Sequence, residues 1–107
     1  MVEKTLKSGR KVKIKEISID KIDELKDIPE VIFYEADGSK TIKNINRART
    51  AWLREGLGGG DFENWKPNGG LAPDDVLKQL NNKEQLELHN MIQLAQSVNP
   101  KKPSSSS

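Results

Sequence analysis

The run Val31-Ile32-Phe33-Tyr34, then Asp37-Gly38, then Lys40-Thr41-Ile42-Lys43, is the strongest strand signal in the chain and narrows its fold more than any other feature. Branched and aromatic side chains suit a pleated backbone, and an Asp-Gly pair accepts the positive φ of a tight hairpin turn. A similar segment lies upstream, where Ser8-Gly9 divides two stretches and the later one alternates as Lys11-Val12-Lys13-Ile14-Lys15. That alternation predicts a hairpin with one apolar and one wet face, its lysines discouraging stray pairing. The resulting expectation is an α+β protein: two antiparallel β-hairpins forming a small sheet, a short helix between them, and two to three C-terminal helices packed on it.

The helices follow from spacing and caps. Ser18 stands as an N-cap before Ile19, Ile22, Leu25 and Ile28, with Pro29 closing the segment and Ile17 placed to staple against Ile22. Asn44 or Asn46 suits the start of a second helix whose apolar side is Ile45, Ala48, Trp52 and Leu53, with Trp52 expected at the centre of the core and Gly56 as a stop. From Gly56 to Gly70 the chain is Gly-rich and polar, which reads as an irregular connection held down by Phe62 and Trp65. Pro73 and Asp74-Asp75 open a helical turn with Val76, Leu77 and Leu80 buried. Asn82 with Gln85 resembles a capping box that starts a helix through Leu86, Leu88, Met91, Ile92, Ala95 and Val98, either separate from the preceding turn or continuous with it through a bend.

A chain of 107 residues fits one domain, expected over 1–99, and the Lys/Pro/Ser stretch 100–107 reads as a disordered tail. Apolar residues make up 34% and charged residues 32%, so the core is expected to be thin and the stability modest. The absence of cysteine excludes disulfides, thiolate metal sites and a cysteine nucleophile. No apolar run has the length of a membrane span and the first residues lack a secretory core, so a cytoplasmic protein is expected.

Charge is unevenly distributed: residues 1–15 carry six cations against Glu3, and residues 16–30 carry six acids against two lysines. Mutual neutralisation within the fold is the expected outcome, with a partner footprint as the alternative. The acids Asp20, Asp23, Glu24 and Asp27 then form a solvated outer helix face.

Candidate chemistry is sparse. Gly56-Leu57-Gly58-Gly59-Gly60-Asp61 has the flexibility of a phosphate loop, but a helix precedes it and no Lys-Ser/Thr pair follows, so a close-packed turn after a helix explains the glycines better. His89 is the only histidine and has no second His or Cys with which to share a metal. No carboxylate pair sits in a hydrolase or metal-ligand pattern. The chain is accordingly expected to have no catalytic residue, cofactor or metal. Arg47, Arg49 and Arg54, with Lys40 and Lys43 upstream, form the best cationic helix face, which reads as a solvated face or a contact for an acidic protein partner and fits a phosphate backbone less well because Glu55 interrupts it.

Thr5-Leu6-Lys7-Ser8-Gly9-Arg10-Lys11-Val12-Lys13-Ile14, then the acidic helix, then Asn46-Arg47-Ala48-Arg49-Thr50-Ala51-Trp52-Leu53-Arg54 leading to Gly58-Gly59-Gly60-Asp61-Phe62, resembles the small tail assembly chaperone-like proteins of tailed bacteriophages. The similarity extends over most of residues 4–98 and includes Ala72-Pro73-Asp74-Asp75-Val76-Leu77-Lys78-Gln79-Leu80. It implies a protein of the infected host cytoplasm that binds the tape measure protein and/or tail tube subunits during assembly, without catalysis. Many such chaperones are largely helical, and the two hairpins depart from that pattern. On this resemblance the last helix faces the partner through Leu88, Met91, Ile92 and Leu94, with burial against the sheet as the competing reading of the same residues. Two other functions fit the residues: a small structural virion protein of the tail or connector, and a small DNA-binding regulator using the Arg47/Arg49/Arg54 helix.

Overall fold

The computed structural model describes residues 1–33 and 38–97. Tyr34 and Asp37 of the second hairpin, Val98 of the last helical stripe, and the tail expected over 100–107 lie outside the described residues. The chain runs β1 (Val2–Thr5), β2 (Lys11–Ile14), α1 (Ile19–Lys26), β3 (Glu30–Phe33), β4 (Lys40–Lys43), α2 (Ile45–Gly56), β5 (Leu57–Gly60), α3 (Asp74–Leu77) and α4 (Asn82–Ser97). The class is α+β, as the strand and helix patterns predict.

The two hairpins do not share a sheet. β1 and β2 pair antiparallel and continue onto β5, while β3 and β4 form a two-stranded sheet of their own. The third strand is the Gly-rich run that reads as irregular in the sequence. Glycine is required there by close approach: Gly60 holds φ +136°, and a Cβ on it would lie 2.8 Å from Val12 Cα. Gly59 faces the stem of Lys13, and a Cβ there would come within 3.2 Å of that side chain. The lysine methylenes thus cover what would otherwise be bare backbone.

Alternation along β2 turns Val12 and Ile14 inward, fully buried, and leaves Lys11 and Lys13 in water. These two residues join Leu6, Leu25, Trp52, Leu53, Leu57, Leu88 and Ile92 in one cluster, with Val76, Leu77 and Leu80 closing its far side. Trp52 is buried as expected, and Phe62 and Trp65 pack edge to face with ring centroids 5.5 Å apart against the same cluster. Ile17 is buried and Ile22 is partly buried there too, consistent with a staple across the α1 entry.

The caps differ in detail from their sequence reading. Ser18 caps α1 by accepting the Lys21 N–H. Neither Asn44 nor Asn46 caps α2 through its side chain; Asn44 instead adopts φ 64°, which Asn tolerates better than most residues, and turns β4 directly into the helix. The reciprocal box of α4 is one residue earlier than Asn82 and Gln85: Asn81 Oδ1 accepts the Glu84 N–H at 2.8 Å, and Glu84 Oε1 accepts the Asn81 N–H at 3.0 Å. That box makes α3 and α4 two separate helices.

Candidate protein-binding surface

An open apolar surface lies between α1 and the second half of α4. Gln96 sets its geometry. Its Nε2 donates to the Lys15 carbonyl at 2.9 Å and its Oε1 accepts the Ile17 N–H at 3.0 Å, so one amide satisfies both backbone groups of the linker entering α1. α4 is thereby tied to the start of α1, and a groove is left between the two helices. One end, about 470 Å³, is lined by Ile22, Lys26, Trp52, Asn90, Gln93, Leu94 and Gln96. The other, about 720 Å³, runs past Ile19 and Ala95 to Met1 and Val2, and the two ends meet at Ile22 and Gln96. Ile19 is 77% exposed and Leu94 62% exposed, so two large apolar side chains face water along its rim.

The residues assigned to partner binding from sequence divide sharply. Leu88 and Ile92 are 0% exposed and form part of the core, which corrects their assignment as a partner-facing surface. Only one stripe of α4 can meet the sheet and α2, and these two residues occupy it. Met91 is partly buried against the cluster, and Leu94 alone of the four stands open. Among the arginines, Arg47 is exposed, Arg49 donates to Asn46 Oδ1 at 2.9 Å, and Arg54 donates to the Ala72 carbonyl at 3.0 Å and pairs with Asp74. The Arg54 guanidinium holds the Asp74 carboxyl below the usual carboxylate range. The three do not form one continuous cationic face, because Arg54 is occupied in holding the segment before α3.

Leu86, counted with the apolar stripe of the last helix, is 44% exposed instead. His89 lies against Trp52, ring centroids 6.1 Å apart, and its Nε2 is buried without a hydrogen-bond partner. Burial lowers its pKa, and the charge of Arg49 lowers it further, so the ring is held neutral.

The densest polar constellation is elsewhere. Glu84, 6% exposed, accepts from Ser8 Oγ at 2.7 Å, from Arg10 Nε at 3.0 Å and from the Asn81 N–H. The Arg10 guanidinium also donates to the carbonyls of Asp61 and Gln79 and lies 5.0 Å from the centre of the Phe62 ring. Burial alone would raise the Glu84 pKa, but the hydrogen bonds from Asn81, Ser8 and Arg10 outweigh it and leave the carboxyl below its ordinary value. Every partner is structural: the network joins the first hairpin turn, the exit from β5 and the start of α4. The Ser8 hydroxyl donates a hydrogen bond to a carboxylate already engaged by Arg10 and so fastens the hairpin turn to the start of α4.

Among the described residues, no His/Cys/Asp/Glu group of three or more is arranged to hold a metal ion, and no helix is long and apolar enough to cross a membrane. No family model matches this chain, and no curated protein or solved structure matches it.

Proposed function

We propose that this chain is a non-enzymatic phage tail morphogenesis factor that binds an amphipathic helix of its partner, the tape measure protein and/or tail tube subunits, in the groove between α1 and α4. The observation that carries the reading is the groove itself: two helices form its walls, Ile22 and Trp52 lie in its lining, and Ile19 and Leu94 stand exposed along it. A third helix laid between two such walls buries its apolar stripe by ordinary ridge-into-groove packing. Asn90 and Gln93 supply amide groups that hydrogen-bond the polar flank of the incoming helix. The resemblance to tail assembly chaperones supplies the biological role, and it agrees with a surface that shields amphipathic segments.

Co-expression with the tape measure protein encoded by the same genome tests the reading. Wild-type chain is expected to co-purify with it, and Ile19→Asp with Leu94→Asp is expected to lower that capture at least about tenfold, because each places an unpaired charge against an apolar helix face. Both side chains lie outside the core, so the double variant keeps its fold. Undiminished capture by the variant would sink the groove as the binding site. Mass spectrometry of purified virions separates a departing assembly factor, which is depleted there, from a structural virion protein, which is present in stoichiometric amount.

A further inference from the structure

Lys66-Pro67-Asn68-Gly69-Gly70 lies in the connection from β5 to α3, and every one of these residues is exposed. Of the asparagines in the sequence, Asn68 is the one followed by glycine. That neighbour matters chemically. The backbone nitrogen of the next residue can attack an asparagine side chain and close a ring with it, and a side chain on that next residue shields the nitrogen. Glycine leaves the nitrogen bare and lets the backbone rotate into reach.

The fold arranges the groups that ring closure needs. The Gly70 N–H donates to Asn68 Oδ1 at 2.9 Å, so the side-chain carbonyl is polarised and its oxygen already has a donor for the negative charge that develops on attack. Lys15 strengthens that donor from the other side of the same peptide unit. Its Nζ donates to the Gly69 carbonyl at 3.3 Å, which draws charge out of the Gly69–Gly70 amide, and to the Gly70 carbonyl at 2.9 Å. The Gly69 N–H, the attacking group, has no acceptor among the described residues. Gly69 holds φ +88°, and no atom lies within 4 Å of where a Cβ on it would stand, so solvent reaches the nitrogen freely.

We propose that Asn68 is a site of spontaneous deamidation and isomerisation. The Gly69 nitrogen gives up its proton to solvent base and bonds to Asn68 Cγ; the Cγ–Nδ2 bond breaks, and the amide nitrogen takes a proton from solvent and leaves as ammonia. The product is a succinimide. Water then opens it: addition at Cγ gives aspartate, and addition at the backbone carbonyl carbon gives isoaspartate, with no oxidant or reductant involved. Either product places a carboxylate in the loop whose carbonyls bind Lys15. In isoaspartate the main chain also gains a methylene, which displaces Gly69 and Gly70 relative to Pro67 and loosens the tie to Lys15. The inference is independent of the groove reading, and failure of one leaves the other standing.

Incubation of the folded full chain at neutral and at mildly alkaline pH, followed by peptide mass spectrometry, tests it. The peptide carrying Asn68 is expected to gain the mass difference between –NH2 and –OH and to become a substrate for a protein isoaspartate methyltransferase. Its conversion is expected to run about tenfold or more ahead of that of any other asparagine in the chain, because only here is the attacking nitrogen that of a glycine. The rate is expected to rise with pH, since the attacking nitrogen must lose its proton. Asn68→Gln, whose longer side chain would have to close a larger ring, is expected to stay unmodified, and Asn68→Asp marks where the aspartate product elutes on ion exchange. Circular dichroism during incubation confirms that the chain stays folded. A folded chain that keeps the Asn68 amide while the same chain in urea loses it overturns the proposal, as does a folded chain in which another asparagine converts first.

Discussion

The three-stranded sheet and the two-stranded arm are built from strands of equal length and opposite fate. In the sheet, Val12 and Ile14 disappear beneath α2 and α4, and the hairpin turn is fastened by Arg10 and Glu84. In the arm, every residue of β4 is exposed, and neither Val31 nor Ile42 belongs to the core. Two strands by themselves bury too little to be stable alone. The comparison shows that alternation makes a strand, whereas a third strand and a covering helix make it a foundation. It also separates the tasks: the sheet carries stability, and the arm is free to carry contact.

Truncation in each region breaks or sharpens this contrast most directly. Leu53→Ala or Ile92→Ala is expected to cost about 3 kcal/mol, against under about 0.5 kcal/mol for Ile42→Ala, measured by urea unfolding at low protein concentration. A large loss at Ile42 in the monomer would show that the arm is part of the foundation after all. Next comes the glycine strand. Gly60→Ala places a Cβ against the Lys11 carbonyl and Val12 Cα at a positive φ, with an expected loss of about 2 kcal/mol. The same change at Gly38 meets open space, and only its φ of +72° opposes it, so about 1 kcal/mol is expected.

The smallest and most graded effect is that of pH. Glu84 has a folded-state pKa below its ordinary 4.5, so its contribution to stability is complete above that value and is lost as pH falls through the lower folded value. His89, also depressed, adds a loss of the same sign that begins as pH falls below 6.5, because protonation is resisted in the folded ring. Thermal melts are therefore expected to fall in two stages on acidification. Glu84→Gln is expected to remove the lower stage while costing about 2 kcal/mol at neutral pH, since Arg10 loses its carboxylate. An unchanged acid profile in that variant would remove Glu84 from the account.

Much of the foundation was readable from the sequence. The alternation around Val12 and Ile14, the Ser18 cap, the burial of Trp52 and the stripe Val76, Leu77 and Leu80 all depend on local pattern, and local pattern is what periodicity captures. β5 was not readable, because three glycines carry no alternating side chains and their pairing depends on lysine stems more than 40 residues upstream. The box at Asn81 and Glu84 was missed by one residue because Asn82 and Gln85 satisfy the same pattern, and only Glu84 reaches Ser8 and Arg10.

The candidate surface was legible only in part. Ile19, Ile22, Leu25 and Ile28 look like one buried stripe at three-residue spacing, yet the helix repeats every 3.6 residues, so the stripe drifts around the axis. With Leu25 buried, Ile19 is carried out to the rim of the groove. The same geometry decides α4, where Leu88 and Ile92 take the inner stripe and leave Leu94 outside. Which apolar residues remain open depends on how many neighbours a helix has, and spacing alone does not count neighbours.

Consider last the bonds that Glu87 and Gln96 make to the backbone of Lys7 and Ile17, spanning 80 and 79 residues. During synthesis at roughly 5–20 residues per second, the first hairpin waits several seconds or more for the helix that completes it. Until then Val12 and Ile14 lack the part of their cover that Leu88 and Ile92 provide, and the early chain is the one most in need of protection from neighbours on the ribosome. Synthesis of α4 therefore sets the moment at which the first hairpin is completed, and loss of α4 would strand β1 and β2 in an unfinished state.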